Sequence, residues 1–522
     1  AQSLNVSLRS RQGRATPDIE TEMGKKYDGT HDVDSTAKDD PKAYGTWACT
    51  KQVMDDWAQL IRRPLDAAHG KQALSKLHCL ALALLLSGCA SYGVIDNKPQ
   101  SATRTTDGYT IRSGGGSGWR SGELSLILAF SGGGTRAAAL AYGVLQELRD
   151  TEVVIDGRPR RLLDETDVIS SVSGGSFTAA YYALHGDRIF EDYEEVFLRR
   201  DVQGQLVRGL LNPLMWFSSS GRTEMAVKLY EKEVFRGATF DDMTRADAPL
   251  TLINASDLGY GVRFSFVQDY FNLLCSDISD YPVARAVTAS SAVPVLFNPV
   301  VVRNYQDCKE EKPDWLLAAQ KRAAGDPELS QAVRGLNTYF EKDRREYAHF
   351  VDGGITDNLG LRAIYEIIEI AGGPKVLIEK KLNRKPPRRL VLISVNASTD
   401  PEPEMDASNK QPSLTETISA ISDVQLHRYN VATLELMDKS VKRWAKALST
   451  PARPVTPYFI QIGFRDVAQP EQLQFFNQVP TTFSLTDEQV DRLIAADREL
   501  LRANPDFQRF VTGMAGSRTA RR

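Results

Sequence analysis

Two short apolar runs each end in a glycine-rich turn and lead into a helical pattern, and this repeated arrangement constrains the fold most. The first run, Leu124–Phe130, precedes the Gly132–Gly134 turn and an Ala/Leu-rich stretch. The second run, Asp167–Val172, precedes the Ser173–Gly175 turn and another helical start. Apolar runs without polar alternation are typical of parallel strands that are buried on both faces. The chain is therefore expected to contain at least two strand–turn–helix units of one sheet.

Further strand patterns alternate with helical patterns along the chain. The predicted strands are Leu250–Asn254, Val262–Val267, Tyr347–Val351, Leu390–Val395 and Tyr458–Ile462. The clearest helical patterns are Leu361–Ile370 and Ser413–Leu448, and an amphipathic pattern over Asp487–Phe510 is interpreted as a packing helix. This alternation predicts an α/β fold with a central, mainly parallel sheet flanked by helices.

Charge and composition argue against two classes of function. The 522 residues include 64 Lys and Arg and 67 Asp and Glu, for a net charge of −3. This balance produces no basic field, so it argues against a nucleic-acid binder. Six histidines and the lack of a CxxC pair argue against a metal site.

A segment before the body of the chain has the architecture of a secretion signal. Lys76 precedes a short apolar run that ends in small residues and Cys89. This run is too short to cross a bilayer of about 30 Å as a helix. The residues Leu86–Cys89 resemble the lipobox of bacterial lipoproteins, which implies lipid transfer to Cys89 and cleavage before it. The alternative is a core helix that ends at Gly88.

The signal divides the chain into predicted segments. About 70 residues precede it, although a signal must be N-terminal, so residues 1–73 are interpreted as lying before the true translation start or as disordered. The other predicted segments are a signal peptide (74–88), a flexible tether (89–123), a folded domain (124–400) with a helical insert at about 307–345, and a helical and strand extension (401–522).

Two features of the body allow two interpretations each. Cys275 and Cys308 are the cysteines that follow Cys89, and an oxidising compartment permits a disulfide between them, with two free thiols as the alternative. The apolar stretch Leu206–Phe217 is either part of the core or a patch that faces membrane or substrate.

The first glycine turn offers backbone amides and a helix N-terminus, which stabilise negative charge. A P-loop is excluded because no Lys-Ser/Thr pair follows the turn. A dinucleotide site remains open, since Gly132, Gly134 and Ala137 fit its fingerprint and Asp156 ends a later strand pattern. An oxyanion hole for a tetrahedral intermediate also remains open. The turn alone does not decide between them.

The second glycine turn resembles a nucleophile elbow, with Ser173 as the projecting serine and Ser171 in place of the first glycine. A serine nucleophile needs a base. His185, His349 and His427 lie in no turn or glycine-rich context. Asp352 ends a predicted strand and is followed by two glycines, and burial would make its carboxylate more basic. A plain Asp-Gly turn is the alternative.

Taken in order, these signals resemble the patatin-like phospholipases. Three motifs follow one another in the order that is typical of the family: the glycine turn, the serine elbow about 40 residues later, and Asp352–Gly354. Ala289–Pro299 resembles the Ala-Ser…Pro block of the family, and Asn254–Asp257 resembles one of its strand segments. The resemblance covers roughly residues 124–400 and implies a three-layer patatin-like fold.

The resemblance also implies a chemistry, which is hydrolysis of carboxylic esters through an acyl-serine without metal or cofactor. The implied roles are Ser173 as nucleophile, Asp352 as general base of a Ser-Asp dyad, the amides of Gly132, Gly133 and Gly134 as oxyanion hole, and Arg136 as the residue that holds this loop. Ser171 and Ala137 depart from the family pattern, but both are small.

The lipobox-like segment and the patatin-like motifs together predict a membrane-anchored lipid acyl hydrolase of the phospholipase A or lysophospholipase type. Lipidated Cys89 would anchor it in a bacterial cell envelope, at the outer membrane facing periplasm or exterior, with membrane lipids as substrate. A nucleotide-binding protein and a non-catalytic lipoprotein of the same fold are the alternatives. The sequence does not indicate the acyl position, the head group or the oligomeric state.

Overall fold

The central sheet contains eight strands in the part of the chain that the computed structural model describes, which is residues 93–100, 108–112, 120–205, 221–294, 296–306, 312–400 and 404–515. The strands are β1 (Leu124–Phe130), β2 (Thr166–Val172), β3 (Leu250–Asp257), β4 (Val262–Ser265), β5 (Val300–Arg303), β6 (Tyr347–Val351), β7 (Arg389–Asn396) and β8 (Thr456–Gly463). The two strands that precede the glycine turns therefore occur as predicted.

The order of the strands places both glycine turns at one edge of the sheet. The order is β8-β7-β1-β2-β3-β6-β5, with β4 paired to β3. The five strands from β8 to β3 are parallel, whereas β4, β5 and β6 pair in antiparallel fashion. Because β1 and β2 are parallel neighbours, the turns that follow them meet at the carboxyl edge of the sheet.

Helices cover both faces of the sheet. Those of eight or more residues within the described ranges are α1 (Gly134–Asp150), α2 (Gly174–His185), α3 (Arg222–Tyr230), α4 (Val283–Ser290), α5 (Asp314–Arg322), α6 (Pro327–Asn337), α7 (Leu361–Ala371), α8 (Leu414–Leu448), α9 (Pro470–Gln478), α10 (Asp487–Ala503) and α11 (Pro505–Ala515). Within these ranges, none is both long and apolar enough to cross a membrane.

Alternation along β1 divides the core into two layers. Leu126 and Leu128 pack in the larger core with α1, α2 and α10, whereas Ile127 and Ala129 pack in a second core with α7 and α8. Successive side chains of a strand point to opposite faces, so one strand serves both cores. The predicted three-layer α/β fold is confirmed.

The chain after residue 400 is built into this sheet. Strand β8 pairs with β7 over its whole length, from Arg389 and Thr456 to Asn396 and Gly463. Helix α10 packs along α1. The predicted helix over Asp487–Phe510 is two helices, because Pro505 cannot continue α10 and instead starts α11.

Three parts of the chain differ from the sequence prediction. Strand β5 was not predicted, and Glu152–Ile155 pairs with Arg158–Arg161 in a separate hairpin. Within the predicted tether, Lys98–Pro99 pairs with Ser276–Asp277, and Tyr109 is buried and bonds Thr251. These described parts of 89–123 are therefore packed on the body, because their polar groups find partners there.

Candidate active site

The serine elbow is a strained turn between β2 and α2. Ser173 directly follows β2 and has φ 50° and ψ −121°, a backbone conformation that few residues other than glycine adopt. Such strain persists only where the surrounding structure holds it, and it occurs preferentially at functional sites. Ser173 is 4% exposed, and α2 begins at the next residue. The structure thus places the predicted nucleophile at the turn geometry that a nucleophile elbow requires.

The two glycine turns lie directly against each other. A Cβ atom added to Gly174 would lie 1.9 Å from the carbonyl oxygen of Gly134 and 2.9 Å from its nitrogen. Only glycine therefore allows the elbow to approach the first turn this closely. The serine and the amides of the first turn consequently share one site.

Asp352 reaches this site because β3 is longer than β2. Val172, the last residue of β2, pairs with Asn254, and β3 continues for three residues to Asp257. The antiparallel strand β6 pairs with this extension and runs back toward the elbow, so that it ends beside Ser173. A Cβ at Gly353 would lie 2.4 Å from the Asn254 carbonyl oxygen, which shows how tightly the chain passes this point.

The carboxylate of Asp352 is buried and hydrogen-bonded. It accepts a hydrogen bond from the Gly354 amide at 2.8 Å. Burial raises the pKa of Asp352 to about 6, and the Gly354 amide and the neighbouring Ser173 side chain oppose the rise. A carboxylate with a pKa near neutrality is a better proton acceptor than an ordinary aspartate and is still ionised at pH 7.

Ser290, at the end of α4, connects the turn of Ser173 to the segment of Asp352. Its hydroxyl accepts the Ser173 amide at 2.9 Å and donates to the Asn254 carbonyl at 2.6 Å. Its own carbonyl accepts the Gly353 amide at 3.0 Å. The Ala-Ser…Pro block contains this residue, but the sequence prediction gave it no role. One buried serine thus ties the backbone of Ser173 to the backbone beside Asp352.

The first glycine turn offers two unpaired amides rather than three. The Gly132 amide donates to the Asn358 carbonyl at 2.9 Å, so it is not available to an oxyanion. Among the described residues, the Gly133 and Gly134 amides have no acceptor. The structure therefore narrows the predicted oxyanion donors to Gly133 and Gly134, at the N-terminus of α1.

Arg136 is buried and fastens this turn to other segments. Its guanidinium donates to the carbonyls of Ala397 and Val479 and, at 2.9 Å, to the hydroxyl of Thr481. Burial lowers the pKa of Arg136 to about 10, and the nearby charge of Asp423 opposes this shift. The cation at the start of α1 thus has neutral oxygens as its hydrogen-bond acceptors.

The loop that provides these contacts lies after α9. The Thr482 carbonyl accepts the Thr135 amide at 2.8 Å, and a Cβ at Gly134 would lie 2.3 Å from the same oxygen. We call residues Val479–Thr482 the C-terminal clamp. Sequence reasoning did not find it, because backbone carbonyls leave no sequence signature.

The structure does not support a dinucleotide site at the first glycine turn or a histidine as the base. The strand pattern before Asp156 belongs to the separate hairpin, and Asp156 lies at its turn, so it is not the acidic end of a neighbouring strand that a dinucleotide site needs. The His427 ring nitrogens contact the carbonyls of Asp423 and Thr399. His185 stacks on Tyr181, and His349 lies on β6 opposite Val301.

Several predicted features lie outside the described residues, namely segments 1–73 and 74–88, Cys89, Leu206–Phe217 and Cys308. Cys275 is in a disulfide bond, but its pairing with Cys308 stays a prediction. The described residues contain no cluster of three or more His, Cys, Asp or Glu side chains that could hold a metal ion.

A strained serine elbow, a hydrogen-bonded buried carboxylate and a glycine turn with open amides, all at the carboxyl edge of an α/β sheet, are the parts of a serine hydrolase site. Residues 128–365 match the family model of the patatin-like phospholipases. Residues 128–365 are therefore a patatin-like phospholipase domain, as the motifs predicted, and this family is a class of serine hydrolases that act on lipid esters.

Comparisons with other proteins give only distant likenesses. No curated protein sequence matches the chain. The structure is similar to human GIVD cytosolic phospholipase A2, with 13% identity and a TM-score of 0.38 over 76% of this chain and 60% of that one. It is also similar to VipD from Legionella pneumophila, with 13% identity and a TM-score of 0.28 over 84% and 73% of the two chains. The chain thus spans 60% of the length of the human phospholipase.

Proposed function

We propose that this protein is a membrane-anchored lipid acyl hydrolase that cleaves carboxylic esters through an acyl-serine on Ser173, with Asp352 as general base. The observation that carries the proposal is the strained Ser173 at the elbow with the buried carboxylate of Asp352 beside its side chain. Phospholipids and lysophospholipids are the proposed substrates, as the family's activity on lipid esters suggests.

The proposed reaction has two stages, and Asp352 accepts and returns a proton in each of them. Asp352 takes the hydroxyl proton of Ser173 while the serine oxygen attacks the ester carbonyl. The amides of Gly133 and Gly134 stabilise the oxyanion, and Asp352 returns the proton to the leaving alcohol. Water then attacks the acyl-serine, Asp352 accepts one of its protons, and the fatty acid leaves as Ser173 regains its hydrogen.

The proposed anchor is a lipid on Cys89, which would place the enzyme on its substrate layer in a bacterial envelope, at the outer membrane. Residues 90–92 separate Cys89 from Gly93, so the covalent chain reaches at most about 14 Å from Gly93. Gly93 lies beside Val301 of β5, which pairs with His349, and His349 in turn bonds Leu258 just past the end of β3. Gly93, the first described residue after Cys89, thus lies at the level of the carboxyl edge.

Labelling with a fluorophosphonate tests the proposed dyad. The full chain should acquire one adduct on Ser173, located by mass spectrometry. Asp352→Asn should slow labelling by about three orders of magnitude, because general bases contribute roughly 10²–10⁴-fold. In the unchanged protein the labelling rate should fall as pH drops through about 6, since protonated Asp352 cannot accept the serine proton.

Asp357→Asn is the matched control. Asp357 is also buried, its pKa is also raised to about 6 by burial, and it accepts the Ala363 amide rather than the serine. This variant should label at the rate and with the pH dependence of the unchanged protein. An adduct on another residue, or equal labelling of Asp352→Asn, would contradict the dyad.

A further inference from the structure

Asn358 lies between the first glycine turn and the turn that follows Asp352. Its backbone carbonyl accepts the Gly132 amide at 2.9 Å. Its side-chain oxygen Oδ1 would lie 2.8 Å from a Cβ atom added to Gly132 and 3.2 Å from one added to Gly354. Asn358 is 6% exposed, so its side chain is held inside the site rather than on the surface.

The same two glycines are also neighbours of the proposed nucleophile and base. The Cβ position of Gly132 lies 3.3 Å from the Cβ atom of Ser173, and that of Gly354 lies 3.0 Å from Oδ1 of Asp352. Asn358 Oδ1 therefore shares one immediate neighbour with the serine and another with the carboxylate. Two oxygen acceptors, the Asn358 amide and the Asp352 carboxylate, thus adjoin the position where an acyl group would be attached.

The neighbours of the Asn358 amide indicate which of its ends faces this position. Its nitrogen Nδ2 donates a long hydrogen bond of 3.5 Å to the Ser398 hydroxyl, which also accepts Asn430 Nδ2 at 3.2 Å. The other end meets the Cα–H groups of Gly132 and Gly354, which favour an oxygen over an NH2 group. Among the described residues Oδ1 has no hydrogen-bond donor, and it is not sealed off from solvent.

An acyl group on Ser173 gives this free acceptor a partner. An acylated Ser173 has no hydroxyl hydrogen, so Asp352 and Asn358 Oδ1 are then two acceptors beside the acyl group. Water is the reactant that carries two O–H donors. One hydrogen bond to each acceptor would fix the water and turn a lone pair toward the acyl carbon, and such orientation accelerates a bimolecular step.

We propose that Asn358 is a further catalytic residue, whose side-chain oxygen holds the water that hydrolyses the acyl-serine. This inference rests on the proposed hydrolase function and concerns its second stage alone. The water oxygen bonds to the acyl carbon as Asp352 takes one of its protons, while its other O–H stays bonded to Asn358. The bond from the acyl carbon to Ser173 Oγ then breaks, and Asp352 returns the proton to that oxygen. The fatty acid leaves with the second O–H of the water.

Pre-steady-state kinetics of the full chain on p-nitrophenyl butyrate separate the two stages. The burst of p-nitrophenol reports acylation, and the steady rate that follows reports deacylation. Asn358→Ala removes the acceptor but keeps the backbone carbonyl that holds Gly132. Deacylation should slow by about tenfold to a hundredfold, because the water loses one of its two orienting bonds, and acylation should change less than about threefold. Intact-mass spectrometry should then find the butyryl group accumulated on Ser173.

Asn430→Ala is the matched control, because it removes the other amide on the Ser398 hydroxyl and leaves Asn358 in place. Both of its rates should stay within about twofold of the unchanged protein. Asn358→Asp keeps an acceptor oxygen, so it should deacylate faster than Asn358→Ala. Its deacylation should also have a higher pH midpoint, because a second carboxylate beside Asp352 raises the pKa of that base.

Equal losses of acylation and deacylation in Asn358→Ala would overturn the inference, since a purely structural role disturbs both stages. Unchanged deacylation in that variant would overturn it as well. If Asn358→Ala does not fold, Asn358→Asp decides: a raised pH midpoint of deacylation supports the inference, and an unmoved midpoint overturns it. An unchanged protein that forms no acyl-serine would instead contradict the hydrolase proposal itself.

Discussion

The two glycine turns that build the site are supported by different parts of the chain. The Ser173 turn is held by Ser290 and Asn254, which lie inside the region that matches the family, residues 128–365. The turn of Gly133 and Gly134 is held largely from outside that region, by Ala397 and the C-terminal clamp. The nucleophile is thus positioned by the family's common framework, whereas the anion-binding turn depends on this chain's C-terminal part.

The two turns also differ in the kind of contact that holds them in place. The elbow depends on a side-chain hydroxyl that is buried and bonded in three directions, to Ser173, Ser176 and Asn254. The oxyanion turn depends mainly on backbone carbonyls that meet Arg136 and Thr135. A substitution can delete the first kind of contact but only displace the second, so we expect larger mutational effects at the elbow.

Gly174→Ala should have the largest effect, because it forces apart the point where the two turns meet. The added methyl group would lie 1.9 Å from the Gly134 carbonyl oxygen, so one of the backbones must move. A displacement of about 1 Å at a reacting group can cost roughly 10²-fold in rate. We therefore expect kcat on a soluble ester to fall by about two orders of magnitude or more.

Gly325→Ala is the control for this substitution, because an added methyl group there would meet no atom within 4 Å. It should keep kcat and the unfolding temperature. If Gly174→Ala retained near-normal kcat, the close contact of the two turns would be irrelevant to the chemistry.

Ser290→Ala should have the second largest effect on kcat, and it should act on the serine elbow alone. The change leaves the Ser173 amide without its acceptor and the Asn254 carbonyl without this donor, and a buried group left unpaired costs about 1–3 kcal/mol. We expect a fall in kcat of about tenfold to a hundredfold with little change in KM, because the loss concerns the position of the serine rather than lipid binding.

Ser291→Ala is a closely matched control for Ser290→Ala. Ser291 is the next residue and is equally buried, but its hydroxyl bonds the Val287 carbonyl within its own helix region. Its kcat should stay within about twofold of the unchanged protein. Equal losses in the two serine variants would mean that Ser290 acts only through general stability.

The sequence was most informative where chemistry requires a local pattern. The apolar runs before Gly132 and Ser173 predicted β1 and β2, and parallel pairing then brought both turns to one edge. The two glycines after Asp352 marked the turn at which its strand ends. Such positions leave a signature because a tight turn admits few residue types.

The parts that could not be predicted depend on tertiary contacts. The three valines of strand β5 have high β-propensity, but only its pairing with β6 places this four-residue segment at the end of the sheet. The Gly132 amide looked available in the sequence, yet the Asn358 carbonyl occupies it. The C-terminal clamp lies about 345 residues from Arg136 along the chain, and no spacing rule connects segments so far apart.

Thr481→Val should have the smallest effect and would sharpen the contrast between the two turns. It removes one acceptor of Arg136 at nearly constant shape and leaves the carbonyls of Ala397 and Val479 in place. We expect kcat to fall about threefold to tenfold with KM unchanged, since one of several hydrogen bonds to a charged group is lost. Thr482→Val is the control, because that hydroxyl bonds Ser484 and not Arg136. If Thr481 acts through Arg136, adding Thr481→Val to Arg136→Gln should reduce kcat no further, whereas independent, multiplicative losses would show that the clamp does not act on the oxyanion turn.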